Sequence, residues 1–516
     1  MKIKLNQNES LFRNELIFTV DAKAVNIDNT LVNLFMLLRH NGQRPRQKAR
    51  AKADIDINLL KRTFGKLEEE GAISGYQANP IAAELWMRSN LVNMVSRGKP
   101  DREKISSLRP IHLESYRVRN VRNTRDYNTA DQVYLMLGVN PTVKEDLKNF
   151  LIEGWDKTTG KISIDNQLDV DSLGLLNIIN KVSPGYIDSA SHLNQIEPLL
   201  EDQAHLFCDD VRRLLVYKRL IPRNVLIDYL KTITSFHLSL YAQKLIHLLP
   251  TMVAQGSQQI NDDWHIIVDA TDDFESKMAP IAIAQADRLF NSVFDYIKAT
   301  FQINAALRYL GLDQSDSAHL TRALETLGNR PDDFETYFKV AWNNIYSSLE
   351  DEEDKRLVNE MVKYENTYFD QYIELILKVR GPYQYQYHVQ LLDNVSQKNN
   401  ERGFMAQGRS KKHPRRFVLG TRLLETIVQI LVLHQDQKFV TRSLSIEELV
   451  SQIAERYGLF LNGSEEEFAD AGLNTHLAFK ENMDAFKLKL RQIGFYNDLS
   501  DAYLLQKIRP RYTIDS

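Results

Sequence analysis

Apolar side chains recur every three or four residues through most of the chain, which is the period of an amphipathic helix. Only 21 Gly and 14 Pro interrupt this pattern in 516 residues. The clearest stretch runs from Ile196 to Pro250, where two or three long helices are expected to break at Pro222. We therefore predict a mostly α, multi-domain helical protein with few and short strands. The side chains expected to be buried in this stretch are Leu214, Tyr217, Ile221, Leu226, Tyr229, Leu230, Ile233, Leu240 and Leu245.

A second amphipathic pattern lies near the N-terminus and predicts a helix over 57–70. Asp56 can cap the start of this helix, and Gly71 can end it. An apolar helix over 30–38 and a short basic helix in RPRQKARAKA, after Pro45, are expected to precede it. The apolar face of the 57–70 helix consists of Ile57, Leu60, Phe64 and Leu67.

Positive charge is concentrated in this N-terminal part. Residues 38–126 hold 19 Lys or Arg and 10 Asp or Glu, which gives a local net charge of about +9. The whole chain carries a net charge of -3, so the remainder sums to about -12. This balance argues against a generally basic coat protein for nucleic acid and makes 38–126 the candidate for local contact with phosphate.

The three N-terminal helices, the last closing in LEEEGAI, resemble the winged-helix branch of the helix-turn-helix family over about 50 residues. The resemblance implies that the third helix enters the major groove of DNA while the preceding basic segment meets phosphates. A module that docks onto a protein partner, with its basic residues merely solvated, is the alternative. The predicted DNA contacts are Asn58, Lys61, Arg62 and Lys66 on the helix, and Arg44, Arg46, Lys48, Arg50 and Lys52 before it.

The C-terminal residues 418–516 give a similar picture. FVLGTRLLETIVQILVL predicts an apolar helix, and Ser445 with Glu448 forms a capping box that opens the next one. The tail FYNDLSDAYLLQKIRPRY alternates like a two-stranded wing around Ser500 and Asp501. This part again resembles a winged helix, for which protein docking is at least as well supported as DNA binding. A third helix, ended by Gly494, is expected to bury Phe479, Met483, Phe486, Leu490 and Ile493.

The polar, Gly-bearing segment 396–417 interrupts the helical pattern and predicts an exposed basic linker. We expect its cations to add to the DNA-binding surface. They are Arg409, Lys411, Lys412, Arg415 and Arg416. The predicted domains are a basic winged-helix-like module (1–127), a helical middle domain (128–395), this linker (396–417) and a C-terminal winged-helix-like domain (418–516).

Few residues suggest catalysis. The single cysteine, Cys208, excludes an intramolecular disulfide and any site with two Cys ligands, and its acidic neighbours would raise its thiol pKa, so we expect a core residue. His237 and His247 lie ten residues apart, without the spacing of a zinc site on one helical face. We therefore expect no metal, no cofactor and no enzymatic activity.

The strongest catalytic alternative is the acidic end of a predicted strand in WHIIVDATDDF. Asp269, with Asp272 and Asp273 close behind, could hold a divalent metal for phosphodiester hydrolysis. The spacing argues against it, because the six residues from Asp269 to Glu275 leave no room for a turn and a second strand. Asp272 and Asp273 serve equally well as caps of the following helix.

Three stretches resemble proteins encoded in bacterial antiphage defence islands. They begin CDDVRRLLVYKRLIPRN, GRSKKHPRRFVLGTRLL and LKLRQIGFYNDLSDAYL. The resemblance implies a large accessory subunit that works with an ATPase, helicase, methyltransferase or nuclease.

The first hypothesis is accordingly a DNA-binding accessory subunit of such a complex, contacting duplex DNA. A purely structural protein adaptor is the second, and a metal-dependent nuclease using Asp269 is the third. The chain shows neither the apolar stretch of a signal peptide nor a run long enough to span a membrane, so we expect a cytoplasmic protein without a membrane partner.

Overall fold

A computed structural model of the chain describes residues 3, 5–48, 55–99, 101–156, 159, 161–163, 168–183, 185–187, 192–194, 196–349, 351–410, 412–463, 472–496 and 507–514. The protein is about 58% helical, which confirms the mostly α class. The helices are α1 (Gln7–Ser10), α2 (Ile27–Arg39), α3 (Ile57–Glu69), α4 (Pro80–Trp86), α5 (Thr129–Gly138), α6 (Pro141–Ile152), α7 (Val170–Val182), α8 (Glu201–Val216), α9 (Arg223–Gln255), α10 (Ala279–Leu310), α11 (Ala318–Gly328), α12 (Phe334–Ser347), α13 (Glu352–Met361), α14 (Tyr368–Val395), α15 (Thr421–Leu431), α16 (Ile446–Tyr457) and α17 (Leu473–Gln492).

The strands of the described residues are two to five residues long and pair only two at a time, as the sequence predicts. They are β1 (Arg46–Gln47), β2 (Val92–Val95), β3 (Lys104–Leu108), β4 (Trp155–Asp156), β5 (Lys161–Ile162), β6 (Tyr186–Ile187), β7 (Ile266–Ile267), β8 (Met405–Gln407), β9 (Arg415–Phe417), β10 (Leu433–Gln435), β11 (Phe439–Thr441), β12 (Leu444–Ser445), β13 (Leu459–Phe460) and β14 (Lys507–Ile508). Shorter 3₁₀ or π turns span Met87–Leu91, Leu113–Arg117 and Tyr217–Arg219.

The long helix α9 lies at the centre of the molecule. It packs against α8, α10, α11, α14 and α15, and its apolar residues occur on all sides. A helix that is apolar all round belongs in the interior. Pro222 directly precedes α9 and separates it from α8, so the predicted break is confirmed. All nine side chains predicted for the buried stripes are buried.

The N-terminal part differs from its prediction after Pro45. Arg46 and Gln47 form β1, which pairs antiparallel with β6, so a basic helix at these two residues is wrong. The backbone at these residues is extended and not helical, because β6, from a distant segment, provides its hydrogen-bond partners. The remainder of that predicted helix, 49–54, lies outside the described residues. The helix over 57–70 is confirmed as α3, and a π turn after α4 leads into the β2–β3 hairpin.

The C-terminal part forms the predicted helices. The capping box of Ser445 and Glu448 is present at the start of α16, and Gly494 adopts a positive φ of 83° just after α17. α15 begins only at Thr421, because Phe417 belongs to β9. The predicted wing turn at Ser500 and Asp501 lies outside the described residues.

Segment 396–417 is not simply the exposed linker that its polarity predicts. β8 and β9 form an antiparallel hairpin that packs against α10. Phe404, Met405 and Phe417 are buried, because the hairpin returns to the same core that α9 and α10 form. A parallel pair of β7 with β13 further joins the middle of the chain to its C-terminal part. None of the helices in the described ranges has the length and apolar character needed to cross a membrane.

Candidate nucleic-acid interface

Helix α3 presents an exposed polar stripe on the side opposite its core contacts. The Asp56 carboxylate accepts a hydrogen bond from the Leu59 backbone N–H at 2.7 Å and fixes the start of the helix. The core face is buried through Leu60, Phe64 and Leu67. With that face fixed, residues at spacing four on the other side must point outward. The exposed stripe consists of Asn58, Arg62 and Lys66.

Lys61 differs from its neighbours on α3. Its ammonium forms an ion pair with Glu84 of α4, which also pairs with Arg88. The hydrogen bond from Lys61, with that from Arg88, lowers the pKa of the Glu84 carboxyl. Lys61 therefore bridges α3 and α4, and its charge is balanced within the protein. The predicted DNA contact at Lys61 competes with this pair, whereas those at Arg62 and Lys66 compete with no ion pair among the described residues.

Arg44 lies just before β1 and differs from the exposed cations that follow it. Arg44 donates to Asp126 at 3.1 Å and to both oxygens of Asp131, the closer contacts at 2.9 Å. This two-carboxylate clamp holds the guanidinium against the protein, so Arg44 is an internal ion-pair residue. Arg46 and Lys48 are exposed.

The side chain between Arg46 and Lys48 shows which way this segment faces. Gln47 donates to the carbonyl oxygens of Arg117 at 3.3 Å and Arg119 at 3.5 Å. Because side chains alternate along a strand, Arg46 and Lys48 share the face opposite Gln47. The contact also brings 46–48 next to the later basic segment 117–125, in which Arg122 and Arg125 are exposed. The predicted residues Arg50 and Lys52 lie outside the described residues.

The cations of segment 396–417 divide into two classes. Arg409 and Lys412 are exposed at the turn of the β8–β9 hairpin, and Lys411 between them lies outside the described residues. Arg415 instead donates to both oxygens of Asp393, at 2.7 and 2.9 Å.

Arg416 is 1% exposed and pairs with Asp269, which is fully buried. A DNA contact by Arg416 is therefore wrong, because its guanidinium lies inside the protein.

The same pair contradicts Asp269 as a metal ligand. One Asp269 oxygen accepts from the Thr271 backbone N–H at 2.7 Å and from its hydroxyl at 2.6 Å, and the other accepts from Arg416 at 2.5 Å. A carboxylate enclosed by these donors has no open position for a cation. Asp272 pairs with Lys489, and α10 begins after Met278, so neither Asp272 nor Asp273 caps that helix.

Cys208 and His237 occupy the core. Burial raises the pKa of the Cys208 thiol to about 12, in the direction predicted, and its sulfur donates to the Met136 carbonyl at 3.3 Å. The His237 ring lies between Gln203 and Asp210, with both contacts at 2.8 Å. Among the described residues, no three His, Cys, Asp or Glu side chains are grouped so that they could hold a metal ion.

Helix α4 carries a surface feature that sequence reasoning missed. Ile81 is 77% exposed and Leu85 is 61% exposed, and the helix buries none of its residues. The sequence PIAAELW could have signalled this, since its apolar residues are too numerous for one buried face of a seven-residue helix. The N-terminal part of the surface thus carries an exposed polar stripe with two cations on α3 and exposed apolar residues on α4.

No curated protein matches this chain. A comparison with protein families matches residues 7–512 to the family described as methylation-associated defense system protein MAD7. Because the match covers nearly the whole sequence, it confirms the predicted resemblance to defence-system proteins, and the chain belongs to this MAD7 family of methylation-associated defense system proteins.

Proposed function

We propose that this chain is a non-catalytic, DNA-binding accessory subunit of its defence system. The observation that carries the proposal is the stripe of Asn58, Arg62 and Lys66 on α3, which is exposed and lacks a carboxylate partner among the described residues. Nearby cations such as Arg44 and Lys61 are already paired. Unpaired cations at helical spacing are available to phosphates without breaking an internal contact.

Other exposed cations lie elsewhere in the N-terminal part. Arg46 and Lys48 project from β1, and the Gln47 contacts place them beside the segment that carries Arg122 and Arg125. Each phosphate contact adds to affinity by releasing counterions, so binding to such a surface depends strongly on salt. The proposed interface therefore supplies mainly sequence-independent affinity for duplex DNA.

The test is a double variant, Arg62→Ala with Lys66→Ala, in the full chain. At 50 mM salt we expect duplex DNA to bind at least tenfold more weakly than to wild type. The slope of log K against log salt should fall by about two, because two phosphate contacts are lost at about 0.9 each. The melting temperature should stay unchanged, since both positions are exposed on a helix.

The matched control is Lys218→Ala with Arg219→Ala, which removes two exposed cations from the turn between α8 and α9. Fluorescence anisotropy with a labelled duplex measures all three proteins. Equal affinity of wild type and the α3 variant, or no binding by wild type at 50 mM salt, would contradict the proposed interface. If the control loses DNA affinity to the same extent, the loss reflects the lower overall charge of the protein and not a contact made by α3.

The second candidate function is a structural adaptor that docks a catalytic partner. The exposed apolar residues Ile81 and Leu85 on α4 favour it, because large apolar side chains grouped on one short helix are typical of surfaces that bind protein. Co-expression with the other components of the system, followed by nuclease treatment and affinity purification, tests this function. We expect Ile81→Ser with Leu85→Ser to release a partner that Arg62→Ala with Lys66→Ala retains.

A further inference from the structure

A polar cavity of about 920 Å³ lies between α8, the β10–β11 hairpin and α16. Its cationic walls come from Arg213, Lys244, Arg442 and Arg456, and its carboxylates include Asp202 and Glu455. The elements that enclose it come from segments more than 200 residues apart, and none of its residues belongs to the α3 stripe. We call it the α8–α16 cavity.

Two guanidinium groups are held side by side in its wall. Arg213 Nε and Arg456 Nη2 both donate to the same oxygen of Asp209, at 2.7 and 2.6 Å. Arg213 also donates from Nη1 to the Leu433 carbonyl at 2.6 Å, which ties it to the hairpin. A shared acceptor with a second anchor leaves neither side chain free to change rotamer, so the two charges stay adjacent.

Asp210 fixes Arg456 through hydrogen bonds on the buried side of the guanidinium. It accepts from Arg456 Nε at 3.0 Å, from Tyr457 at 2.8 Å and from His237 at 2.8 Å. Burial alone would raise the pKa of the Asp210 carboxyl, but the hydrogen bond from His237 and the charge of Arg456 hold it below its ordinary value. Asp210 therefore remains ionised and fixes the position of the arginine.

Each of the two arginines keeps one unused nitrogen. Among the described residues, none accepts from Arg213 Nη2 or Arg456 Nη1. Neither atom is among the fully enclosed polar atoms that lack a partner, so neither is completely buried. Both residues line the cavity, so two adjacent, fixed guanidinium groups border it. Such paired guanidinium edges match the geometry of a phosphate.

The other walls narrow the class of ligand. Asp202 and Glu455 would repel a bare anion that filled the cavity, but they accept hydrogen bonds from hydroxyl or amino groups. Among the described residues, Arg442 pairs with the surface carboxylate of Asp436 at 3.0 Å and Lys244 with that of Asp262 at 2.7 Å. Surface pairs of this kind are weak and exchange readily. Lys244 also lies 5.5 Å from the centre of the Trp264 ring. A ligand with phosphate at one end and hydroxyl or amino donors at the other can bind both the cationic and the carboxylate residues that line the cavity.

We propose that the α8–α16 cavity binds a nucleoside diphosphate, with its phosphates on Arg213 and Arg456 and its sugar or base donors on Asp202 and Glu455. The cavity volume lies within the range of small-molecule sites, roughly 300–1,000 Å³. This site is independent of the proposed DNA interface.

Isothermal titration calorimetry of the full chain tests the site with ADP, GDP, CDP and UDP as probes. We expect at least one of them to bind with a Kd below about 1 mM, and adenosine and inorganic phosphate to bind at least tenfold more weakly than the best nucleotide. Failure of all four nucleotides overturns the proposal. Inorganic phosphate that binds as tightly as the nucleotides overturns it as well, since the cavity would then be a plain anion site.

The variant for this test is Arg442→Ala, which removes a lining cation that can leave its surface carboxylate for the phosphates of the nucleotide. Replacing Arg456 would leave the buried Asp210 without its arginine and endanger folding. We expect Arg442→Ala to weaken nucleotide binding at least fivefold without changing the melting temperature of the unliganded protein. Arg219→Ala is the matched control with unchanged binding. The variant Arg62→Ala with Lys66→Ala should bind the nucleotide as tightly as wild type. If this variant loses nucleotide affinity and Arg442→Ala does not, the nucleotide binds at the α3 stripe and the cavity site is refuted.

Discussion

The buried pair of Asp269 and Arg416 should be one of the most sensitive points of the fold. It joins the segment before α10 to the β8–β9 hairpin, and Arg416 also donates to the Asp273 carbonyl at 2.5 Å. Its guanidinium lies 4.0 Å from the centre of the Phe274 ring. We expect Asp269→Asn to destabilise the protein substantially, because the substitution leaves the positive charge of Arg416 buried without its counterion.

The magnitude follows from the contacts. Asparagine keeps an oxygen for the two hydrogen bonds from Thr271, so the change isolates the oxygen that binds Arg416. Removing one partner of a buried ion pair costs about 3–5 kcal/mol. An unfolding entropy of about 2.1 cal/mol/K per residue gives about 1.1 kcal/mol per degree for the whole chain. One-step unfolding would then lower the melting temperature by about 3–5 °C, and separate unfolding of a smaller unit would lower it further.

Differential scanning calorimetry of three variants measures this effect. Glu360→Gln removes one side of an exposed pair with Arg356, at 4.0 Å, and should shift the melting temperature by less than about 1 °C. Asp269→Asn with Arg416→Met replaces the whole pair and should recover at least half of the loss, because no buried charge remains. If Asp269→Asn melts like wild type, or the double variant melts no higher than the single one, the pair is not the source of stability that its burial indicates.

Two other predictions concern stability. Burial lowers the pKa of His388 to about 4, so the unfolded chain binds a proton that the folded chain excludes, and stability should fall as the pH drops from about 6.5 to about 4. His388 should account for up to about 3 kcal/mol of this loss in unfolding free energy, and His388→Gln should remove that part. Urea unfolding midpoints measured across this pH range test it, and an unchanged pH dependence in His388→Gln would contradict a role of His388. Gly420→Ala should destabilise the start of α15, because a Cβ there would lie 2.3 Å from the Glu401 carbonyl oxygen, which belongs to the backbone and cannot rotate away. The matched control is Gly138→Ala, because a Cβ there meets nothing within 4 Å. This control should melt at or above the wild-type temperature. Equal melting temperatures of the two variants would show that the backbone at Gly420 adjusts freely.

The sequence by itself determined the features that depend on neighbours along the chain. The apolar period of 57–70 and the cap at Asp56 predicted α3, and Ser445 with Glu448 predicted the start of α16. Pro222 predicted the break before α9. These signals are local, since a helix is specified by side chains within one or two turns and by the groups that satisfy its first N–H donors. The stripe of Arg62 and Lys66 followed from the same periodicity.

Only the tertiary structure decided which charges are available to a partner. Arg409 and Arg416 look alike in a basic segment, yet one is exposed at a turn and the other is buried against Asp269, 147 residues away along the chain. Arg46 lies in a strand because β6 pairs with it. No local sequence pattern indicates a partner strand that is more than 100 residues away along the chain. The adjacent guanidinium groups of Arg213 and Arg456 likewise arise from α8 and α16 meeting at Asp209. Long-range pairing depends on how whole elements pack, and local composition does not encode it.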